Sequence, residues 1–91
     1  MNQYQAPIAI PPGETIKELM KESDMSVFDL ARGSGYSVPY VKEVLSGKRM
    51  INDRFAGKLY KVFNVPAGYW ISLESRYRQT LRRLRKERED E

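Results

Sequence analysis

Two glycines within three residues, Gly33 and Gly35, constrain the fold of this chain more than any other feature. They stop a helix and permit a left-handed turn, because glycine reaches positive φ without steric cost. The helix that they stop is predicted to begin at Ser26, since Ser26 with Asp29 three residues later resembles a capping box with a shorter acid. Its apolar positions are Phe28, Leu30 and Ala31. Another helix follows at once, so the segment 26–46 has a helix-turn-helix arrangement.

The second of these two helices is predicted to run from an N-cap at Ser37 to about Ser46. Pro39 falls in its first turn, where a missing N–H costs little, and Gly47 ends it. The small side chain of Ala31 lets the two helices cross closely. The residues of the second helix that point into the core are Val41, Val44 and Leu45.

Three more amphipathic segments predict three more helices. One spans about residues 14–22, one runs from a cap at Asn52 to about residue 63, and one covers about residues 66–88. An arm, residues 1–13, precedes them. The prolines that exclude a helix from the arm are Pro7, Pro11 and Pro12, and its segment 8–10 is expected to form a short strand or to lie against the core. The sequence therefore predicts an all-α fold with five helices, an extended N-terminal arm and a long C-terminal helix.

Composition excludes several classes of function. The 91 residues include no cysteine and no histidine, so disulfides, thiol nucleophiles and the commonest general base and metal ligand are absent. Asp24 and Asp29 have no partner suited to catalysis and no phosphate-binding loop beside them, so no catalytic site, metal site or cofactor is expected. No apolar run approaches the roughly 20 residues that span a bilayer, and the first residues do not resemble a secretory signal. We expect a cytoplasmic protein that makes no membrane contact.

The formal net charge of +4 is unevenly distributed along the chain. Residues 1–75 carry 9 basic and 8 acidic side chains, whereas residues 76–91 carry 7 basic and 4 acidic ones. The chain therefore divides into the arm, a helix-turn-helix domain at 14–75, and a basic helical extension at 76–91 with an acidic end. The extension is expected to contact nucleic acid or an acidic partner, or to remain a solvated helix face.

An apolar seam follows the last helix at a period close to 3.5 residues, the period of helices that pair with another helix. Its later part extends beyond what a core of this size covers, so a partner is expected there. The residues predicted to pack in the core or at a partner or dimer interface are Trp70, Tyr77, Leu81 and Leu84.

The exposed face of the second helix in a helix-turn-helix meets the major groove of DNA. Here the predicted base or groove contacts are Val38, Pro39, Tyr40, Lys42, Glu43 and Ser46. Lys42 is expected to reach a guanine or a phosphate, and Glu43 either accepts from cytosine N4 or repels phosphate. The predicted contacts to the DNA backbone are Ser26, Ser37, Lys48 and Arg49, which cap helices or follow the second helix in a basic loop.

The sequence resembles the HigA-type antitoxins, a branch of the Xre/Cro-like repressors, over about residues 11–77. The most distinctive matches are the Pro-Gly-Glu opening at residues 12–14 and the later Tyr69, Trp70, Leu73 and Tyr77. The other matching residues are Leu30, Ala31, Gly35, Val41, Glu43, Leu45, Gly47, Lys48, Arg49, Ile51, Ala56, Leu59 and Phe63. The resemblance implies a lambda-repressor-like fold, a homodimer, binding to operator DNA, and a small toxin partner, usually an mRNA-cleaving nuclease.

Three departures from the family pattern keep other functions open. Val27 stands where the family often has a glutamine that touches DNA, Ser34 replaces a larger apolar residue, and residues 37–40 offer few polar groups to base edges. The alternatives are a stand-alone repressor, for example of phage origin, and a protein-interaction module whose helix-turn-helix has lost its DNA role. For an antitoxin, the arm or the basic helix 76–88 is expected to contact the toxin.

Overall fold

Residues 8–89, which the computed structural model describes, form five α-helices and no strand. The helices are α1 (Pro12–Glu22), α2 (Val27–Ser34), α3 (Val38–Leu45), α4 (Asp53–Phe63) and α5 (Ala67–Glu89). The predicted all-α fold of five helices is therefore confirmed.

Local sequence signals set most helix ends. Ser26, Ser37 and Asn52 each accept a hydrogen bond from the backbone N–H three residues later, which satisfies a donor that the first turn leaves free. At the other end, α2 stops at Gly35 with φ +77° and α4 stops at Asn64 with φ +59°, the left-handed C-caps expected of these residue types. The predicted caps and stops of α2, α3 and α4 are thus present.

The core lies where all five helices meet, and every helix contributes a fully buried side chain to it. These residues include Ile16, Leu30, Val41, Phe55, Leu59 and Trp70. Helix α3 packs against α1 and α2, while α4 packs against α2 and α5. The core therefore holds the inner side of α3 and leaves its outer side in solvent.

Helix α1 begins at Pro12, two residues before the predicted start. The prediction was wrong because proline is tolerated in the first turn of a helix, where its missing N–H has no partner to lose. The packing of α1 against α3 requires a glycine at position 13. A Cβ atom there would lie 2.7 Å from the Cα atom of Leu45, so only glycine allows α1 and α3 to approach this closely. The described part of the arm is thus residues 8–11.

Neither outcome expected for the segment 8–10 occurs. Ile8 and Ile10 are 63 % and 59 % exposed, and no strand forms there. Pro7 and the rest of the arm lie outside the described residues. Phe28 also differs from expectation, because it is 63 % exposed although it was predicted to face inward. The buried residues of α2 are Leu30, Ala31 and Ser34, and Phe28 lies off the stripe that they form.

Helix α5 passes residue 75 without interruption. The division at 75/76 therefore rests on charge alone and marks no structural boundary. The first half of α5 packs against α4 and α1, and Trp70 is its fully buried anchor. The basic second half continues beyond the core as an extension of the same helix.

Candidate nucleic-acid interface

The turn between α2 and α3 is held by the backbone of Ala31 and the hydroxyl of Ser34. Ala31 O accepts from Gly35 N at 2.9 Å and from Tyr36 N at 3.2 Å. Ser34 is 1 % exposed, and its Oγ donates to Ala31 O at 3.3 Å and accepts from Tyr36 N at 3.4 Å. Ser34 therefore replaces an apolar contact between the helices with hydrogen bonds that tighten the turn.

The outer side of α3 forms the candidate interface. Of the six residues predicted there, Pro39, Lys42 and Ser46 are exposed, and Glu43 is half-exposed. Val38 lies at the edge, since it is partly buried and packs against the core. These five side chains share one face of α3, as the helical period requires.

Tyr40 packs beside that face rather than on it, and its contact with the groove stays a prediction. Its ring stacks on Tyr36 at a centroid distance of 4.5 Å and lies 5.4 Å from the ring of Phe55 in the core. Burial and then the neighbouring Tyr36 raise the pKa of Tyr40 above its usual value of 10.0. The uncharged ring of Tyr40 thus packs beside the exposed face, because its position on α3 points it towards α4.

The two serines predicted to contact phosphate are both N-caps. Ser26 Oγ accepts from Asp29 N at 3.1 Å, and Asp29 Oδ2 accepts from Ser26 N at 2.9 Å, which completes a capping box. Ser37 Oγ accepts from Tyr40 N at 3.2 Å. Each hydroxyl keeps its own hydrogen free to donate, so contact with phosphate stays a prediction compatible with the caps.

The two basic residues after α3 behave differently from each other. Lys48 is exposed, and neither Lys48 nor Lys42 takes part in an ion pair within residues 8–89. Arg49 instead turns back onto α3, where its Nη2 and Nε atoms lie 2.7 and 2.8 Å from Glu43 Oε1. Lys48 is therefore free to contact a phosphate, whereas Arg49 is already engaged.

The four residues predicted at a partner or dimer interface do not share one environment. Trp70 is fully buried in the core of the protomer, the first of the two environments predicted for it. Tyr77 is partly buried and lies near Gly47 in the loop after α3, while the guanidinium carbon of Arg78 lies 4.9 Å from its ring centroid. Leu81 and Leu84 are partly buried on the extension of α5.

Glu74 is a structural residue that the sequence analysis missed. It is 5 % exposed, its Oε1 accepts from Ile51 N at 2.8 Å and its Oε2 accepts from Arg78 Nε at 2.6 Å. The carboxylate thus joins α5 to the loop between α3 and α4, the loop that carries Lys48. The sequence signal for this role was the position of Glu74, one helical turn from both the seam residue Trp70 and the basic Arg78.

Clusters of potential metal ligands and membrane-spanning helices are both absent from residues 8–89. No three acidic side chains come together as potential metal ligands in that range. None of the helices within it is long and apolar enough to span a bilayer.

The fold and the exposed face of α3 define a helix-turn-helix domain, the class in which a second helix is presented to a DNA groove. A family model described as "Helix-turn-helix" matches residues 16–70, which is more than half of the chain. A comparison with curated protein sequences gives no significant match.

Solved structures give a narrower assignment. Antitoxin HigA of Pseudomonas aeruginosa, with the higBA promoter, is 30 % identical at a TM-score of 0.81, and the match covers 91 % of each chain. An addiction module antidote protein of the HigA family from Coxiella burnetii is 30 % identical at a TM-score of 0.77, with 92 % of this chain and 95 % of that chain covered. A P. aeruginosa protein in complex with its 28-bp operator DNA is 31 % identical at a TM-score of 0.76, with 80 % of this chain and 81 % of that one covered. The chain belongs to the HigA-type antitoxins within the helix-turn-helix family.

Proposed function

We propose that this protein represses its own promoter and is the antitoxin of a type II toxin–antitoxin pair. The observation that carries the proposal is the exposed face of α3, which the turn at Gly35 presents away from the core. Two of the similar structures contain a promoter or an operator, and the matches cover the whole helix-turn-helix segment. The function that the geometry supports best is therefore binding to double-stranded DNA.

The proposed contacts follow from position and charge. Lys42 and Lys48, which lack ion-pair partners in the described part of the chain, neutralise phosphates or donate to a guanine. Val38 and Pro39 offer apolar surface to a thymine methyl group, and Ser46 donates to phosphate. The helix N-termini at Ser26 and Ser37 add backbone N–H groups, which favour an anion.

A dimer is proposed because operator sites are symmetric. Two protomers place α3 in successive major grooves about 34 Å apart, and the partly buried Leu81 and Leu84 on the extension of α5 supply apolar surface for pairing. Tyr77, which packs beside the loop after α3, lies at the inner end of that surface. The dimer interface would thus be continuous with the element that positions Lys48.

The second part of the proposed function is neutralisation of a small toxin, of the mRNA-cleaving nuclease class that the family implies. The arm and the basic helix 76–88 are the proposed contacts. The basic helix 76–88 carries seven basic side chains and one acidic side chain, and it lies outside the helix-turn-helix. A cytoplasmic location stays a prediction from the sequence.

The test is binding to DNA from upstream of the gene, compared with a shuffled duplex of equal length in a gel-shift assay at low salt. We expect the wild type to prefer the upstream DNA and Lys42→Ala/Lys48→Ala to bind at least tenfold more weakly, because two phosphate contacts are lost. The matched control is Lys61→Ala, an exposed lysine on α4 outside the helix-turn-helix. Absence of wild-type binding would contradict the repressor and favour the protein-interaction module. Co-purification with the product of a neighbouring gene would separate an antitoxin from a stand-alone repressor.

A further inference from the structure

Arg49 is fixed against α3 by contacts on three sides. Its guanidinium nitrogens lie 2.7 and 2.8 Å from Glu43 Oε1. Its backbone N–H donates to Glu43 O at 3.3 Å, and its guanidinium carbon lies 4.6 Å from the centroid of the Tyr40 ring. Tyr40 is in turn stacked on Tyr36, so the ring that Arg49 contacts is held by the packed part of the domain.

These contacts leave one carboxylate oxygen of Glu43 unused. Both guanidinium nitrogens approach Oε1, and Oε2 takes no hydrogen bond within residues 8–89. The side chains of Arg49 and Glu43 are 48 % and 46 % exposed, so the pair lies open to solvent on the outer side of α3. An accessible acceptor at this place meets the donor groups of base edges in the major groove.

A carboxylate at a DNA surface normally weakens binding, because the phosphates repel it. The positive charge of Arg49 at hydrogen-bond distance cancels most of that repulsion. The aromatic contact with Tyr40 holds the guanidinium in place, as expected for a cation over a ring face. Arg49 therefore acts as a counter-ion for Glu43 and occupies only one of its two carboxylate oxygens.

We propose that Glu43 determines specificity by accepting a hydrogen bond from the exocyclic amino group of a cytosine, and that Arg49 is a positioning residue for Glu43. This inference rests on the proposed function, because it concerns the same DNA interface. It changes the role of Arg49, since an arginine that neutralises Glu43 contributes little as an independent contact to the DNA backbone. Under this proposal Glu43 contributes base recognition rather than repulsion of phosphate.

The test measures affinity for the operator and for a set of duplexes in which each C·G pair of one half-site is replaced in turn. We expect the wild type to lose about fivefold or more at one C·G pair, the effect of one good base contact. Glu43→Ala and Arg49→Ala should each abolish most of the discrimination at that same pair, and the double variant should lose no more than either single one. Arg49→Lys keeps the charge without the planar fork and should fall between wild type and Arg49→Ala.

The matched control is Lys48→Ala, which should weaken binding to every duplex by a similar factor. If Arg49→Ala behaves in the same way and keeps the discrimination, Arg49 is a backbone contact and the inference is overturned. Discrimination that survives Glu43→Ala overturns it as well. A wild type that binds no duplex overturns the proposed function first, so the two failures are distinguishable.

Discussion

Among single residues, the buried Glu74 connects parts of the chain that are distant in sequence. Glu74 on α5 accepts from the backbone N–H of Ile51, which lies 23 residues earlier, and from Arg78 one turn later. A buried backbone N–H needs a partner, because leaving it unpaired costs free energy comparable to a lost hydrogen bond. The carboxylate therefore fixes the loop that carries Lys48 and Arg49.

Glu74→Ala is expected to lower the free energy of unfolding by about 3 kcal/mol, since it leaves Ile51 N–H and Arg78 without their acceptor. Urea denaturation followed by circular dichroism measures the change. Glu74→Gln, which keeps one acceptor oxygen, should cost less. Glu18→Ala, on the exposed side of α1, is the control and should stay within about 0.5 kcal/mol of wild type. A Glu74→Ala variant as stable as the control would contradict the structural role of the carboxylate.

Alanine substitutions at two glycines are expected to change the free energy of unfolding in opposite directions. Gly13→Ala places a Cβ 2.7 Å from Leu45 Cα, so α1 and α3 must separate, and we expect a loss of about 1–3 kcal/mol. Gly57→Ala meets no atom within 4 Å in the middle of α4, so helix propensity alone should add about 0.5–1 kcal/mol. Thermal unfolding of both variants shows whether Gly13→Ala lowers the unfolding temperature and Gly57→Ala raises it. Equal effects of the two would contradict the close approach of α1 to α3.

At the scale of elements, the helix ends were predictable and the contacts between elements were not. Ser26, Ser37 and Gly35 act within three or four residues of their own position, so the sequence pattern contains the whole interaction. The role of Glu74 and the ion pair of Arg49 were not predicted, because their partners are set by packing. In the sequence Arg49 is one of two adjacent basic residues in a loop, and only the folded loop places it against Tyr40 and Glu43. The exposed face of α3 followed from helical period, whereas the position of Tyr40 depended on where α4 lies.

The start of α2 gives a pH-dependent prediction. Hydrogen bonds from the backbone N–H of Ser26 and then from its side chain hold the pKa of Asp29 below its usual value of 3.8. The ionised carboxylate therefore stabilises the fold above that pH, and the contribution is lost as pH falls through the lower pKa of the folded state.

We expect the difference in unfolding temperature between wild type and Asp29→Asn to be largest near pH 7 and to narrow between about pH 4 and pH 2. The physical reason is that the amide does not titrate, whereas the carboxylate becomes protonated. Asp24→Asn, which removes an exposed negative charge in the turn before α2, controls for the change in net charge. A difference between wild type and Asp29→Asn that is constant over this pH range would contradict the capping role of the charge.

At the scale of the whole molecule, the extension of α5 carries the proposed dimer contact. Leu81→Glu/Leu84→Glu should convert a dimer to a monomer, because charged side chains replace the apolar surface at the proposed interface. Sedimentation velocity measures the mass, and circular dichroism confirms that helical content is retained. Gln79→Glu, on an exposed position of the same helix, adds a negative charge without removing apolar surface and should remain dimeric. A dimer that survives the double substitution would place the interface elsewhere.

The central claim is that the exposed face of α3 and Lys48 bind the DNA backbone and bases. It is tested most directly by the affinity for upstream DNA measured across a salt series. We expect log affinity to fall linearly with log salt and Lys48→Ala to reduce the slope by about 0.9, the contribution of one phosphate contact. An affinity that is independent of salt, or a slope that Lys48→Ala leaves unchanged, would contradict the account.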